Sequence, residues 1–387
     1  MSEKTEVFEI LDSSKLVKGF IRDTELMMAN GIKKKVQDLI PGDEIMYYNS
    51  YHENKTCKIN STKSGKGQMI KVTPEKGRGD IYFVGKDNKL VFTAEDETVL
   101  DYAMTFGNDL ISLEKYDYFL RMSYGDYLEL PDIIKSELKS VRCCVNFIHD
   151  SETLESPLYQ KSIHPFIMGY WLGSKNKKIL TIYNVKDGMM FEEYGNDYFE
   201  RKIEDKMVKY CVTDKFNKEI IFYGLSDVEN KNKYFVPDAY LVADDYKDRE
   251  DLLNGFFSVT HKELPKLVDP NYYYAQNYYL DDYPFLNDIT FLLRSLGYDV
   301  VEDKYEGVLN YYPYVTFKIM SDVNIFEGRN YDSSKSRYVD YPGTYKCKLE
   351  LDPEKTDAEF FGFELEINDE DKCDPIILLG DFTASGY

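Results

Sequence analysis

The sequence predicts an α+β protein, with strand-rich stretches toward both ends of the chain and a helical pattern that occurs twice between them. Three observations carry this. The apolar runs Asp80-Ile-Tyr-Phe-Val-Gly85 and Leu90-Val-Phe-Thr93 flank the polar turn Lys86-Asp-Asn-Lys89, which is a hairpin pattern. Thr344-Tyr-Lys-Cys-Lys-Leu-Glu-Leu351 and Phe360-Phe-Gly-Phe-Glu-Leu-Glu366 predict further strands. Between them, Pro165-Phe-Ile-Met-Gly-Tyr-Trp-Leu-Gly-Ser174 and Arg249-Glu-Asp-Leu-Leu-Asn-Gly-Phe-Phe-Ser-Val-Thr260 share one apolar spacing at an offset of 86 residues.

Residues 1–18 form a leader without periodicity, and residues 19–105 predict mostly strands and turns. Ser61 to Gly67 is rich in Gly, Lys and Ser. It lacks the spacing of a phosphate-binding loop and predicts a solvated loop. Residues 109–145 predict more helix, centred on Pro131 to Val141, where Pro suits a first turn. In the first repeat copy Phe166, Ile167, Tyr170 and Trp171 form an apolar stripe beside Gly169. In the second, Leu252, Leu253, Phe256 and Phe257 do so beside Gly255. Glycine weakens a helix, so a glycine repeated at one place in the stripe predicts close backbone approach there. The two helices are expected to cross at Gly169 and Gly255 about a pseudo-twofold axis. Lys178 to Tyr183 and Glu219 to Gly224 predict strands, and Pro284 to Gly297, opening on Pro and closing on Gly, predicts a helix.

The net charge of −21 repels nucleic acid and anionic membranes and sets a high bar for a DNA-binding reading. No apolar run reaches the length of a membrane span. Six cysteines (Cys57, Cys143, Cys144, Cys211, Cys347 and Cys373) contain no Cys-x-x-Cys pair, which predicts reduced packing thiols in an intracellular protein of the cytoplasm or nucleus. His52, His149, His164 and His261 lie far apart, and no metal site or cofactor is expected. Asp244-Asp245 and Asp281-Asp282 read as solvated loop carboxylates. The 35 tyrosines include clusters at Tyr272-Tyr273-Tyr274, Tyr278-Tyr279 and Tyr311-Tyr312-Pro313-Tyr314. Such clusters suit a protein interface, or reflect compositional bias.

Several blocks then fall in a familiar order. Gly19-Phe-Ile-Arg-Asp-Thr-Glu-Leu-Met-Met-Ala-Asn-Gly31 runs on to Leu39-Ile-Pro-Gly-Asp-Glu-Ile-Met46, and Ile70-Lys-Val-Thr-Pro-Glu-Lys-Gly77 precedes Thr93 to Leu100. His164 to Gly173, Val236-Pro-Asp-Ala-Tyr-Leu-Val242 with Arg249 to His261, and Leu292 to Gly297 follow. The chain finishes Asp374-Pro-Ile-Ile-Leu-Leu-Gly-Asp-Phe-Thr-Ala-Ser-Gly-Tyr387. From Gly19 to Tyr387 the chain resembles a large intein of the kind found in yeast and large DNA viruses: a Hint splicing domain split by a LAGLIDADG homing endonuclease.

The resemblance implies a mostly β, horseshoe-like Hint part built from both chain ends, with an inserted α+β domain of two αββ halves. It divides the chain into a leader (1–18), a Hint-like N-terminal part (19–108), a connecting, DNA-recognition-like region (109–163), an endonuclease-like domain (164–325) and a Hint-like C-terminal part (326–387).

The chemistry the resemblance requires is missing at every matched position. Splicing opens with an acyl shift onto Cys or Ser, but Gly19 stands there. The acid that protonates the scissile amide is a His, but Thr98 stands there and does not titrate near neutrality. The terminal His-Asn pair is Gly386 and Tyr387, so no carboxamide is present to cyclise. The nuclease carboxylates, one at the end of each crossing helix, are Ser174 and Thr260, with Lys175, Lys177 and Lys178 beside the first. The sequence therefore predicts no enzyme. It predicts a domesticated, inactive intein-like protein that binds protein partners or serves as a structural part of a larger assembly, such as a virus particle. The alternative is a non-cleaving DNA-binding protein that keeps a recognition surface, with Arg329 to Arg337 or Lys175 to Lys178 as the basic element.

Overall fold

The computed structural model describes residues 9–10, 16–48, 54–94, 96–106, 114–116, 119–149, 155–156, 159–204, 207–225, 234–263, 274–279, 283–305, 314–320, 343–366 and 376–386. The protein is α+β and divides into two compact units. One unit comprises Met1–Cys143 together with Tyr341–Tyr387, and the other Cys144–Asp340.

The first unit is organised by a ten-stranded sheet to which both ends of the chain contribute. Its order is Cys347–Leu351, Met69–Pro74, Tyr82–Gly85, Phe20–Ile21, Ala358–Glu366, Asn54–Gly67, Glu44–Tyr48, Ile376–Leu378 and Ala384–Gly386. All these pairings are antiparallel, and Glu9–Ile10 adds a short parallel pairing to Asn54–Gly67. Of residues 1–18, read as a leader without periodicity, Glu9–Ile10 thus join the sheet and Val17 is buried.

Both strands of the expected hairpin form, but they do not pair with each other: Tyr82–Gly85 pairs with Met69–Pro74 and Phe20–Ile21, whereas Leu90–Phe92 pairs with Phe119–Met122 in a separate sheet, so Lys86 to Lys89 turns the chain from one sheet to another. Ser61 to Gly67 is no loop. It is the second half of the long strand Asn54–Gly67, paired residue by residue with Ala358–Glu366. Its small and polar residues hide the alternation, and the partner strand supplies buried Phe360, Phe361 and Phe363.

Of residues 109–145, expected to be more helical, the described ones hold a helix within Pro131 to Val141 but strands on either side of it. Glu114–Tyr116, Phe119–Met122 and Ser140–Arg142 are strands, with two short helices, Tyr124–Glu129 and Asp132–Glu137, between them. Ser140–Arg142 pairs with Gly343–Tyr345, so cross-chain pairing ties this region into the first unit. Arg142 is fully buried there. Its Nε donates to the Asp381 carbonyl at 3.1 Å, Nη2 donates to the Arg78 carbonyl, and the guanidinium lies over the Tyr345 ring.

The second unit contains one order of elements twice. Helix Pro165–Gly173 is followed by strand Ile179–Ile182, helix Val185–Tyr194 and strands Phe199–Glu204 and Met207–Val212. Helix Tyr246–Glu263 is followed by strand Tyr274–Tyr279, helix Leu286–Ser295 and strands Asp299–Tyr305 and Tyr314–Met320. In each half the last strand is central in a three-stranded antiparallel sheet. Each half is therefore helix–strand–helix–strand–strand rather than the expected αββ. Helix Asp214–Phe222 replaces the strand expected at Glu219 to Gly224. Thr213 caps it by accepting from Phe216 N–H, and Phe216 and Ile220, four residues apart, are buried.

The core of this unit is dense in aromatic rings. Trp171 meets Phe216 and Tyr234 edge to face, and Phe191 packs on Phe199 and Tyr210. Tyr278, read from sequence as an interface candidate, is fully buried. Residues 272–273 and 311–313 of the other tyrosine clusters lie outside the described residues.

Candidate functional site

Two places match the residues that the resemblance singles out, one in each unit. In the first unit, Gly19 opens strand Phe20–Ile21 between Tyr82–Gly85 and Ala358–Glu366. Its N–H donates to Asn88 Oδ1 at 2.7 Å, and its carbonyl accepts from Gly85 N–H at 2.9 Å. The other end of the same Asn88 amide, Nδ2, donates to the Gly386 carbonyl at 3.4 Å. Asn88 is fully buried, so one carboxamide joins two backbone positions at opposite ends of the sequence.

The preceding residues are clamped as well. Val17 N–H donates to Asp87 Oδ2 at 2.7 Å, and Asp87 N–H donates back to the Val17 carbonyl. Gly19 has φ +151°, and a Cβ placed on it would overlap the Phe361 carbonyl. A Cβ on Gly386 would lie 2.6 Å from the Lys89 carbonyl. The junction therefore has no reacting side chain at Gly19 or Gly386 and no room for one. Thr98 does not join it: it is exposed in the first turn of helix Glu97–Phe106 and donates its N–H to Asp96 Oδ1 at 2.9 Å. Tyr387 lies outside the described residues.

In the second unit, Gly169 and Gly255 lie at a crossing of helices Pro165–Gly173 and Tyr246–Glu263. A Cβ on Gly169 would overlap the Leu252 carbonyl, and one on Gly255 would overlap the Phe166 carbonyl. Past the crossing, the four terminal carbonyls of the first helix are all occupied. Ser174 N–H and Oγ both donate to the Tyr170 carbonyl. Lys177 Nζ donates to the Trp171 and Leu172 carbonyls at 2.7 and 2.6 Å, and Tyr283 Oη donates to the Gly173 carbonyl at 3.2 Å. Ser174 is buried and turned back on its own helix. On the second helix Thr260 is fully buried, its Oγ1 3.1 Å from Tyr278 Oη. The two helix ends thus carry the neutral hydroxyls of Ser174 and Thr260 and the ammonium of Lys177.

The start of the second crossing helix is acidic. Lys161 bridges Asp244 and Asp248. Burial pushes the Asp251 carboxyl up to about 7, assisted by Glu250, Asp248 and Asp245. His164 caps the first crossing helix by accepting from Phe166 N–H at 3.2 Å and stacks on Tyr194. Burial lowers its pKa, against the opposing pull of the Asp248 and Glu193 carboxylates.

The remaining sequence candidates are dispersed. His149 Nε2 lies 2.7 Å from the Val242 carbonyl, while His52, Cys373, Asp281 and Asp282 lie outside the described residues, as does the side chain of His261. Burial raises the Cys57 thiol to about 12 and those of Cys144 and Cys347 to about 11, which makes them unreactive near neutrality. Among the described residues no group of three or more His, Cys, Asp or Glu side chains is arranged to hold a metal ion, and no helix is long and apolar enough to cross a membrane.

Sequence reasoning missed Asn88, which reads as an ordinary turn residue. It noted Lys177 only as one charge among several. No family model matches the chain, and no curated protein matches it.

Proposed function

We propose that this protein is a catalytically inactive, domesticated intein-like protein that acts as a protein-binding or structural component of a larger assembly, such as a virus particle. One observation carries the reading: Gly19, which the resemblance equates with the first residue of a splicing element, and Gly386, which it equates with the penultimate histidine, are joined by one buried carboxamide. That junction lies in a unit built from both chain ends, and the chain between them supplies a unit with one order of elements repeated. At Gly19 and Gly386 hydrogen bonding and close packing stand in place of reacting side chains, so the scaffold itself is what the protein offers. The repeated unit corresponds to the endonuclease-like part, and its helix ends carry neutral or cationic groups where metal-binding carboxylates would be needed.

The alternative, DNA binding without cleavage, finds less support. Strand Phe199–Glu204 exposes Glu200, Arg201, Lys202, Ile203 and Glu204, an edge with as many carboxylates as cations, and Glu204 is paired with Lys209 at 2.8 Å. Lys177 is engaged with its own helix end. The other basic element considered, Arg329 to Arg337, lies outside the described residues.

A native pull-down of the tagged protein, with and without nuclease, tests the two readings. A protein recovered in fixed ratio after nuclease treatment is the expected result. Recovery of DNA, with partners lost on nuclease treatment, would transfer the case to the alternative. Recovery of neither from the native host would contradict both.

A further inference from the structure

Lys177 belongs to no requirement of the proposed function, yet its ammonium has the most complete polar surroundings at the crossing-helix ends. Nζ lies 2.7 Å from the Trp171 carbonyl, 2.6 Å from that of Leu172 and 2.7 Å from that of Ser174. An ammonium has three N–H donors, and here three carbonyls receive them. The Trp171 and Tyr234 rings lie 5.0 and 5.3 Å away, so their negative faces close the cage from the sides. The two helical carbonyls also carry the negative end of the helix dipole. The lysine's own backbone is fixed by Trp171 Nε1, which donates to the Lys177 carbonyl at 3.1 Å.

We infer that the C-terminal end of helix Pro165–Gly173 is a cation cage selective for a primary ammonium, and that Lys177 is its tethered ligand. The cage selects by hydrogen bonding: the groups that meet the ammonium among the described residues are carbonyl oxygens and ring faces, which suit a monovalent ion with three N–H donors. A divalent metal prefers anionic oxygen ligands, and carbonyls alone would hold it poorly. The tether locks the first crossing helix without a bound ion. This inference stands on the cage geometry alone and is independent of the intein resemblance.

The test removes the tether and supplies the ligand from solution. Trp171 is the single tryptophan of the chain, so its emission reports on the cage directly. Lys177→Ala deletes the side chain beyond Cβ, which n-propylammonium replaces. The variant is expected to melt about 4 °C or more below wild type and to shift the Trp171 emission. Tens of millimolar n-propylammonium chloride should return both toward wild type in a saturable manner. Tetramethylammonium, which has no N–H, and MgCl₂ should not. Lys177→Met keeps the aliphatic stem over the indole, so it folds even where Ala does not and still shows the emission shift. Lys175→Ala, at an exposed neighbour, should change neither readout. The inference is overturned if Lys177→Ala and Lys177→Met melt and emit like wild type. It is also overturned if tetramethylammonium or MgCl₂ rescues as well as n-propylammonium, or if n-propylammonium acts equally on wild type.

Discussion

Gly169 and Gly255 each lie where a Cβ would overlap a backbone carbonyl of the opposite helix, that of Leu252 for the first and Phe166 for the second. Neither contact is with a flexible side-chain end, so relief requires the helices to separate. Gly169→Leu and Gly255→Leu are each expected to cost about 3 kcal/mol or more by overpacking. Gly125→Ala provides the contrast: its nearest neighbour would be Ser123 Oγ at 3.6 Å, and Ala favours helix Tyr124–Glu129 by roughly 0.5–1 kcal/mol. Chemical denaturation of the three variants separates the cases. Wild-type midpoints for both leucine variants would sink the crossing.

Asn88 satisfies the Gly19 N–H and donates to the Gly386 carbonyl. Asn88→Ala strands a buried donor, at a cost of about 1–3 kcal/mol. Asn88→Asp keeps the acceptor for Gly19 but turns a carboxylate toward the Gly386 carbonyl, so it should be no better than Ala. Amide exchange at Gly19 should quicken in the Ala variant, and unchanged protection there would contradict the bridge.

Restoring the missing nucleophile should not restore chemistry. Gly19→Cys forces a Cβ into the Phe361 carbonyl at a φ that side chains rarely adopt, so the variant should lose stability rather than gain reactivity. Thermal melting and intact mass read both effects. A Gly19→Cys protein as stable as wild type, or one that releases residues 1–18 in thiol, would contradict the closed junction.

The raised Asp251 carboxyl sets a pH dependence. Its folded pKa of about 7 exceeds the ordinary carboxylate value, so the folded chain binds the proton more tightly than the unfolded chain. The associated stability is fully present below about pH 4 and is lost as pH rises through about 7. Asp251→Asn removes that loss. It should match wild type near pH 4 and melt above it at pH 8. Parallel melting curves at both pH values would show that the carboxyl is not destabilised by burial.

What the sequence revealed depended on the range of the interaction. The apolar stripes flanking Gly169 and Gly255 are local patterns of one helical period, and both helices lie where the spacing puts them. The run Ile220-Ile-Phe-Tyr223 misled because four apolar residues suit a strand or a buried helix equally. The cap at Thr213 and the pair Phe216 and Ile220 were the deciding signals. Ser61 to Gly67 misled because its partner strand, almost three hundred residues away, supplies the apolar face. Asn88 and Lys177 were illegible as site residues for a different reason: each acts through backbone groups, which no side-chain pattern announces.

The central claim is a fold whose splice-like junction is closed, and a fusion with folded reporter domains at both ends tests it most directly. The fusion is incubated at length with thiol and Mg²⁺ and followed by intact mass. The account predicts one species at the full mass of the uncut fusion. A ligated reporter pair, or a fragment beginning at Gly19, would contradict it.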